Sequence, residues 1–108
     1  MSNKFSIVIP TFENSDYLNL CINSILKNSH FSHQIIVHIN GNDEKTEKIL
    51  LDKEITYTKS IKNIGLCSGV NIASEKVSTN YILYAHDDMY FLPEWDLFLY
   101  EEVKKINH

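Results

Sequence analysis

Two adjacent carboxylates, Asp87 and Asp88, are the side chains of this sequence best suited to do chemistry. They follow His86 and an apolar run, so we expect them at the tip of a strand, where they repel each other unless a positive charge lies beside them. Carboxylate oxygens suit Mg²⁺ and Mn²⁺, which complete their coordination with water and phosphate oxygens. Alternatively, one aspartate caps the following turn and the other is solvated. The pair predicts a metal site, with a capped turn as the alternative.

Four apolar stretches that lead into polar loops predict four strands. The first of them is stopped by Pro10, and together they cover residues 5–9, 34–39, 55–58 and 81–85. Apolar residues at steps of three and four, together with helix-start signals, predict four helices. These begin at Asn14 or Ser15, at Asp43, near Gly65 and at Pro93. Strands that alternate with helices indicate an α/β fold with a mostly parallel sheet and right-handed crossovers.

Length and charge exclude several classes of protein. The chain has 108 residues, so we expect one domain over residues 1–108. Ten Lys, no Arg and a net charge of −4 argue against nucleic-acid binding. No apolar run approaches the ~18 residues of a transmembrane segment, and the first four residues leave no room for a secretory signal. Cys21 and Cys67 lack metal-ligand spacing and are predicted to be reduced packing residues, which indicates a cytoplasmic protein.

Polar side chains gather after the predicted strands, in residues 10–13, 39–41, 59–65 and 86–88. Ligands of an open parallel sheet bind beyond the carboxyl ends of its strands, near the point where strand order reverses. Loops are polar in any case, so ordinary surface loops are the alternative. An acidic pair after the fourth strand excludes phosphorelay receivers and haloacid-dehalogenase-type phosphatases, which carry theirs after the first. No glycine-rich phosphate loop is present.

Four blocks of sequence follow one another in an informative order. They are residues 6–14, residues 35–37 with 40–42, residues 63–66 with 71, 73 and 81–82, and residues 86–88 with 93–95. In order and spacing they resemble the N-terminal, nucleotide-binding half of family 2 glycosyltransferases of the GT-A fold. The resemblance implies a Rossmann-like sheet of about four strands with helices on both faces. It also implies metal-dependent transfer of a sugar from a nucleotide-sugar, most simply a UDP-sugar, to an unknown acceptor.

The same resemblance assigns roles to residues. Asp88 is the catalytic residue and would ligate a Mn²⁺ or Mg²⁺ ion that bridges the diphosphate, while Asp87 would share the metal or bind ribose. His86 is a metal ligand, a ribose contact or simply a strand-end residue. Phe12 would stack on the nucleobase, or alternatively lie in the core. The implied nucleotide-binding residues are Pro10, Thr11, Phe12, Glu13, Asn40, Lys62, Asn63, Gly65, His86 and Asp87.

The sequence also departs from the family. Ile39 and Asn40 stand where members often carry an Asp that fixes the uracil ring, and Val70 replaces a family Arg. Lys62 or Lys59 would offer the diphosphate a point charge without the bidentate fork of Arg, or would be a surface residue. No carboxylate is assigned as the general base that the acceptor needs. Three alternatives therefore stay open: a remnant that binds and slowly hydrolyses the sugar nucleotide, a non-catalytic nucleotide-binding module that needs a partner chain, and an α/β protein whose Asp pair is structural.

The C-terminal segment predicts an assembly. It holds more apolar side chains than one helical face can bury, namely Phe91, Leu92, Trp95, Leu97, Phe98, Leu99 and Tyr100. Exposed apolar patches commonly mark interfaces. We expect a homo-oligomer, most simply a two-fold dimer, formed through this segment.

Overall fold

The computed structural model describes residues 3–106, in which four strands alternate with four helices. The strands are β1 (Ser6–Thr11), β2 (Gln34–Asn40), β3 (Thr56–Ser60) and β4 (Ile82–Tyr84). The helices are α1 (Ser15–Asn28), α2 (Glu44–Asp52), α3 (Leu66–Ser74) and α4 (Trp95–Ile106). Two residues at each end of the predicted domain 1–108 lie outside the described residues. None of the helices in residues 3–106 is long and apolar enough to cross a membrane.

All four strands run parallel in one sheet, in the order β3-β2-β1-β4. The chain moves outward from β1 to β2 and β3, and then returns to the other side of β1 for β4. Strand order therefore reverses between β1 and β4, whose register pairs Ser6 with Ile82 and Val8 with Tyr84. Open α/β sheets leave a ligand-binding crevice at this position. The predicted α/β fold with a mostly parallel sheet is confirmed.

Side chains alternate between the two faces of the sheet, and each face packs against its own helices. Val8 and Ile36 face α3, where they bury Ala73, with Val70 and Val77 partly buried beside them. The opposite face packs against α1, α2 and the start of α4. Its larger core includes Ile7, Ile9, Leu18, Ile22, Ile35, Val37, Leu50 and Phe91. The predicted helices on both faces are confirmed, with unequal shares of the core.

β1 continues through Pro10 to Thr11, so the prediction that Pro10 stops this strand is wrong. Backbone groups of Ser6 and Val8 bond to the β4 side of β1, and Pro10 is the next residue of that alternating series. The β4 ladder has already ended at Tyr84, opposite Val8. Because no strand among residues 3–106 lies beside Pro10 on that side, its missing N–H costs no ladder hydrogen bond.

The helix starts agree with the sequence signals only in part. The Asp43 side chain caps α2 by accepting a backbone hydrogen bond at 3.1 Å, as predicted. Asn14 occupies the N-cap position of α1, although its side chain makes no capping bond. The prediction that Pro93 lies in the first turn of the last helix is wrong, because α4 begins at Trp95. Glu94, with φ of 60°, separates the two residues and interrupts helical geometry there.

The two cysteines have different environments. Cys21 is buried in α1, as predicted, whereas Cys67 is exposed in the first turn of α3. The prediction that Cys67 is a packing residue is therefore wrong. The buried positions of α3 are Gly69 and Ala73, so the first turn of this helix projects beyond the core.

Candidate functional site

The end of β1 meets the loop after β4 in the crevice between these two strands. Thr11, the last residue of β1, is buried, and its Oγ1 donates a hydrogen bond to Asp87 Oδ2 at 2.7 Å. Asp87 is half-buried, and its second carboxylate oxygen is not needed for this bond. The contact holds Asp87 at the point where strand order reverses. The geometry therefore gives this carboxylate a fixed orientation in the crevice.

Asp88 differs from its neighbour because it is exposed, and no hydrogen bond or ion pair to its carboxylate is found within residues 3–106. The two aspartates produce a negative field that reaches Cys21, in the middle of α1. Burial, and then the charges of Asp87 and Asp88, raise the pKa of the Cys21 thiol to about 11. A negative field of this kind favours a cation.

A divalent cation fits this carboxylate pair if a phosphate ligand and water complete its coordination. Across the described part of the chain, no three His, Cys, Asp or Glu side chains gather into a ready-made metal cage. Mg²⁺ and Mn²⁺ are commonly held by one or two carboxylates, with water and substrate phosphates as the remaining ligands. Asp87 and Asp88 therefore suit an ion that arrives with a diphosphate rather than a permanently enclosed ion.

The hydrogen bonds that hold His86 in the site involve its backbone N–H and carbonyl groups. Its N–H donates to Met89 Sδ at 3.2 Å, and its carbonyl accepts from the Cys21 thiol at 3.7 Å. The exposed imidazole meets the Tyr84 ring edge-on, with centroids 5.0 Å apart. The ring therefore packs against β4, and its role as a metal or ribose ligand stays a prediction.

Two side chains project beyond the end of β1. Phe12 is 47% exposed, so the alternative that it is a core aromatic is wrong. Its ring lies over the turn after β2, where a Cβ added to Gly41 would be 3.7 Å from Phe12 Cε1. Glu13 is also exposed, with φ of 47°. An exposed aromatic face beside an exposed carboxylate can stack on a base and accept hydrogen bonds from hydroxyls. Pro10, buried in β1, contributes only backbone to this edge.

Asn40 ends β2 but points beneath the next loop rather than into solvent. It is buried, and its Oδ1 accepts a hydrogen bond from the Ile64 backbone N–H at 3.2 Å. The same oxygen lies 3.4 Å from Ser60 Oγ. The Asn40 side chain therefore supports the loop after β3, and a direct contact with a nucleotide stays a prediction.

The loop after β3 carries three of the predicted nucleotide-binding residues, Lys62, Asn63 and Gly65, and all three are exposed. Asn63 Oδ1 accepts a hydrogen bond from the Gly65 N–H at 2.9 Å. Gly65 has φ of 88° and occupies the N-cap position of α3. A left-handed glycine lets the chain turn sharply from the loop into the helix.

Lys59, the alternative to Lys62, has a partner on α2. Its Nζ lies 3.1 Å from Glu47 Oε2, and this carboxylate also accepts from the Tyr57 hydroxyl at 2.5 Å. Those hydrogen bonds, from Tyr57 first and then Lys59, hold the pKa of Glu47 below its usual value. Lys59 and Glu47 line a cavity of about 290 Å³ that also includes Gly41. Of the two lysines, Lys62 is therefore the one on the exposed loop of the site.

Sequence reasoning missed His38, which is fully buried in β2 and two residues before Asn40. Its ring nitrogens lie 2.7 Å from Thr58 Oγ1 and 3.3 Å from Ser60 Oγ. The available signal was a titratable residue inside an apolar strand, on the same face as Asn40. Sequence reasoning also missed Asp96, an acid at the start of the last helix that the structure buries completely.

Known proteins resemble this chain in sequence and in fold. Residues 6–108 match the model of Glycosyl transferase family 2. An uncharacterized glycosyltransferase of Rickettsia typhi is 32% identical over 90 residues, which cover 80% of this chain and 28% of that protein. The crystal structure of S. aureus TarS superposes with a TM-score of 0.83 at 19% identity, covering 94% of this chain and 20% of that one.

A second solved structure carries ligands. The mannosyltransferase PcManGT from Pyrobaculum calidifontis, in complex with GDP-Man and Mn²⁺, superposes with a TM-score of 0.78 at 14% identity. The match covers 94% of this chain and 31% of PcManGT. This chain therefore spans less than a third of the length of each of the three proteins.

The parallel sheet and its strand order are those of a GT-A-type α/β fold, and the solved structures have the same fold. Because the family model spans nearly all of the sequence, the chain belongs to glycosyl transferase family 2. The predicted family and fold are both confirmed.

Proposed function

We propose that this chain is the donor-binding part of a metal-dependent glycosyltransferase that uses a nucleotide-sugar. One observation carries the proposal: Thr11 holds Asp87 in the crevice between β1 and β4, with the exposed Asp88 beside it. This arrangement leaves carboxylate oxygens available at the edge of the sheet where a nucleotide would bind. Family membership supports sugar transfer as the reaction.

In this proposal each residue has a distinct task. Asp88, the catalytic residue, and Asp87 bind Mn²⁺ or Mg²⁺ together with the donor diphosphate. A divalent ion held by these two carboxylates would supply Lewis-acid stabilisation of the charge on the departing nucleoside diphosphate. Phe12 provides a stacking face for the base, and Glu13 accepts from ribose hydroxyls. Lys62 adds a positive charge near the diphosphate.

The base of the donor is the finer part of the proposal. We propose UDP-sugars as the first donor class, with GDP-sugars as the comparison because PcManGT was solved with GDP-Man. The Asn40 side-chain oxygen already accepts from the Ile64 N–H. Discrimination between bases therefore depends on Phe12, Glu13 and the backbone of the turn at Gly41.

Direct titration tests this function. Calorimetry with UDP and GDP, each with and without Mn²⁺, should show binding that needs the metal. Incubation with UDP-sugars should then release free sugar, or transfer it to an added acceptor. If neither nucleotide binds in the presence of Mn²⁺ or Mg²⁺, the proposal is wrong.

A non-catalytic nucleotide-binding module is the second candidate, and one observation favours it. Asp96 is fully buried and hydrogen-bonded, so it cannot take the proton of an acceptor. The other acids of the last segment, Glu94, Glu101 and Glu102, are exposed, and the last two form ion pairs with Lys104 and Lys105. Under this alternative, nucleotide binds with metal but no sugar is released until a partner chain supplies the acceptor half.

We also propose a homo-oligomer, most simply a two-fold dimer, through the exposed part of the C-terminal segment. Phe91 and Trp95 pack into the main core, so the available surface is smaller than the seven apolar residues suggest. It centres on Leu92 and Phe98, the latter 75% exposed. Light scattering at micromolar concentration should find a dimer that Phe98→Ser weakens. A monomeric wild type contradicts this proposal.

We propose a cytoplasmic location for this unit. Cys21 and Cys67 are both free, and the exposed Cys67 thiol stays reduced in a reducing compartment. A thiol reagent that cannot pass membranes should leave Cys67 unlabelled in intact cells and label it after lysis. Labelling in intact cells contradicts the proposal.

A further inference from the structure

Two buried polar side chains, His38 and Asn40, lie side by side on the face of β2 that α3 covers. Gly69 of α3 packs directly on them. A Cβ added at this glycine would lie 2.9 Å from His38 Cδ2 and 3.4 Å from Asn40 Nδ2. A distance under 3 Å forces the neighbour to move, so the absence of a side chain at Gly69 allows α3 to sit over the pair.

The hydrogen bonds of His38 define one proton arrangement. Ser60 has a single hydroxyl proton, and the Lys62 carbonyl is its nearest acceptor at 2.7 Å. His38 Nε2, 3.3 Å from Ser60 Oγ, must then be the donor to that oxygen. In a neutral ring His38 Nδ1 accepts from the Thr58 hydroxyl at 2.7 Å. Burial lowers the pKa of His38, which favours this neutral form.

A chain of hydrogen bonds therefore runs from the sheet into the loop after β3. It leads from Thr58 through His38 and Ser60 to the Lys62 carbonyl. A second connection runs from Asn40 Oδ1 to the Ile64 N–H at 3.2 Å. The two connections reach the backbone on either side of residue 63.

We propose that His38 and Asn40 are positioning residues that hold the 61–65 loop in the shape needed to bind the donor nucleotide. This inference rests on the proposed function, because the loop presents the exposed Lys62 and Asn63 at the same sheet edge as Asp88. In this role His38 and Asn40 act on the nucleotide through the backbone of the loop.

Two matched variants separate this role from ordinary stability. Thr58→Ala and Ser60→Ala each remove one hydroxyl that bonds to the His38 ring, from positions two residues apart in β3. Only Ser60 passes the connection on to the loop. The melting temperatures of Thr58→Ala and Ser60→Ala should be lowered by similar amounts. Ser60→Thr keeps a hydroxyl and serves as the conservative rescue.

The measurements are amide hydrogen exchange at Ile64 and Gly65 and the Kd for UDP and GDP in Mn²⁺. Ser60→Ala should speed exchange at both amides and weaken nucleotide binding about fivefold, the effect of one hydrogen bond. Thr58→Ala should change the Kd less than about twofold, and Ser60→Thr should restore most of the wild-type affinity.

The outcomes distinguish this inference from the proposed function. If wild type binds nucleotide and the two alanine variants weaken it equally, or if exchange at Ile64 is unchanged in Ser60→Ala, the positioning role is wrong and the function stands. If wild type binds neither nucleotide, the proposed function fails and the nucleotide-positioning role fails with it.

Discussion

The loop after β4 and the first turn of α4 carry three aspartates with opposite surroundings. Asp87 and Asp88 stand at the open edge of the sheet, where Thr11 provides the one hydrogen bond described above to their side chains. Asp96 is 0% exposed and accepts from the backbone N–H groups of His30 and Phe31, both at 2.8 Å. It also bonds His33 Nε2 at 2.6 Å. A carboxylate whose oxygens are already satisfied inside the protein is not available to a ligand.

The surroundings of His33 show how Asp96 stabilises the fold. His33 Nδ1 accepts from the Phe5 N–H at 3.2 Å, so Nε2 carries the proton and donates to Asp96. Trp95 Nε1, next to Asp96, donates to Ser29 Oγ at 3.0 Å. These bonds attach the start of α4 to the loop between α1 and β2 and to the start of β1. The comparison teaches that carboxylates close in sequence serve either folding or ligand binding, according to whether their oxygens have internal partners.

Replacing Asp96 by Ala should have the largest effect on stability. The change leaves two backbone N–H groups and the His33 ring N–H buried without an acceptor, at a cost of about 3 kcal/mol. Thermal unfolding should shift down by roughly 10–15 °C. Glu102→Ala, an exposed acid on the same helix, is the control and should change the melting temperature by no more than about 2 °C. Equal shifts in the two variants would show that Asp96 contributes nothing special.

Asp88→Asn should weaken ligand binding without lowering stability, which is the opposite of the effect expected for Asp96→Ala. The amide keeps the shape but removes the charge that a cation needs. Mn²⁺-dependent nucleotide affinity should fall roughly tenfold or more, because loss of even an outer-shell partner of a metal ligand has an effect of that size. Because repulsion between Asp87 and Asp88 is relieved, the melting temperature without metal should stay the same or rise. Calorimetry and thermal melts measure the two quantities. A melting temperature that falls in the absence of metal would indicate that Asp88 is structural.

Asp87→Asn should give a smaller loss of binding. The amide oxygen can still accept from the Thr11 hydroxyl, so the orientation in the crevice is kept while the charge is lost. We expect Mn²⁺-dependent nucleotide affinity to fall roughly two- to fivefold. The same titration with Thr11→Val, which keeps the charge and removes the hydrogen bond, separates the two contributions. A larger loss for Asp87→Asn than for Asp88→Asn would reverse the assigned roles.

Acid should reduce the stability that Asp96 provides, and this is the smallest expected effect. Burial by itself would raise the pKa of Asp96, but the hydrogen bonds from His30, Phe31 and His33 outweigh it and lower the pKa below 3.8. A lowered folded-state pKa gives stability above the unfolded-state value that is lost as pH falls through the folded-state value. The difference in melting temperature between wild type and Asp96→Asn should therefore be constant near neutral pH and shrink below about pH 3.8. If the difference in melting temperature grew in acid, the predicted lowering of the Asp96 pKa would be wrong.

Local patterns were enough for the order of elements and for part of the site. The alternation of apolar runs and helical spacing predicted the parallel sheet, and the polar tip of the fourth strand placed Asp87 and Asp88 at its carboxyl edge. The same patterns placed Pro10 at the end of β1, because a proline normally ends a strand. That prediction failed since the neighbouring strand, β4, is only three residues long and ends before it could pair with Pro10.

The sequence by itself determined the fold class and the position of the acidic pair, because hydrophobic periodicity is a local property of the chain. The resemblance of its sequence blocks to family 2 glycosyltransferases indicated the family. Only the tertiary structure decided which polar side chains turn inward. Thr11 meets Asp87 across 76 residues, and His33 meets Asp96 across 63. Asn40 and His38 are buried because strand register and the close approach of α3 at Gly69 bring partners to them. Whether a polar side chain binds a ligand or supports the fold depends on such distant partners, which no local pattern specifies.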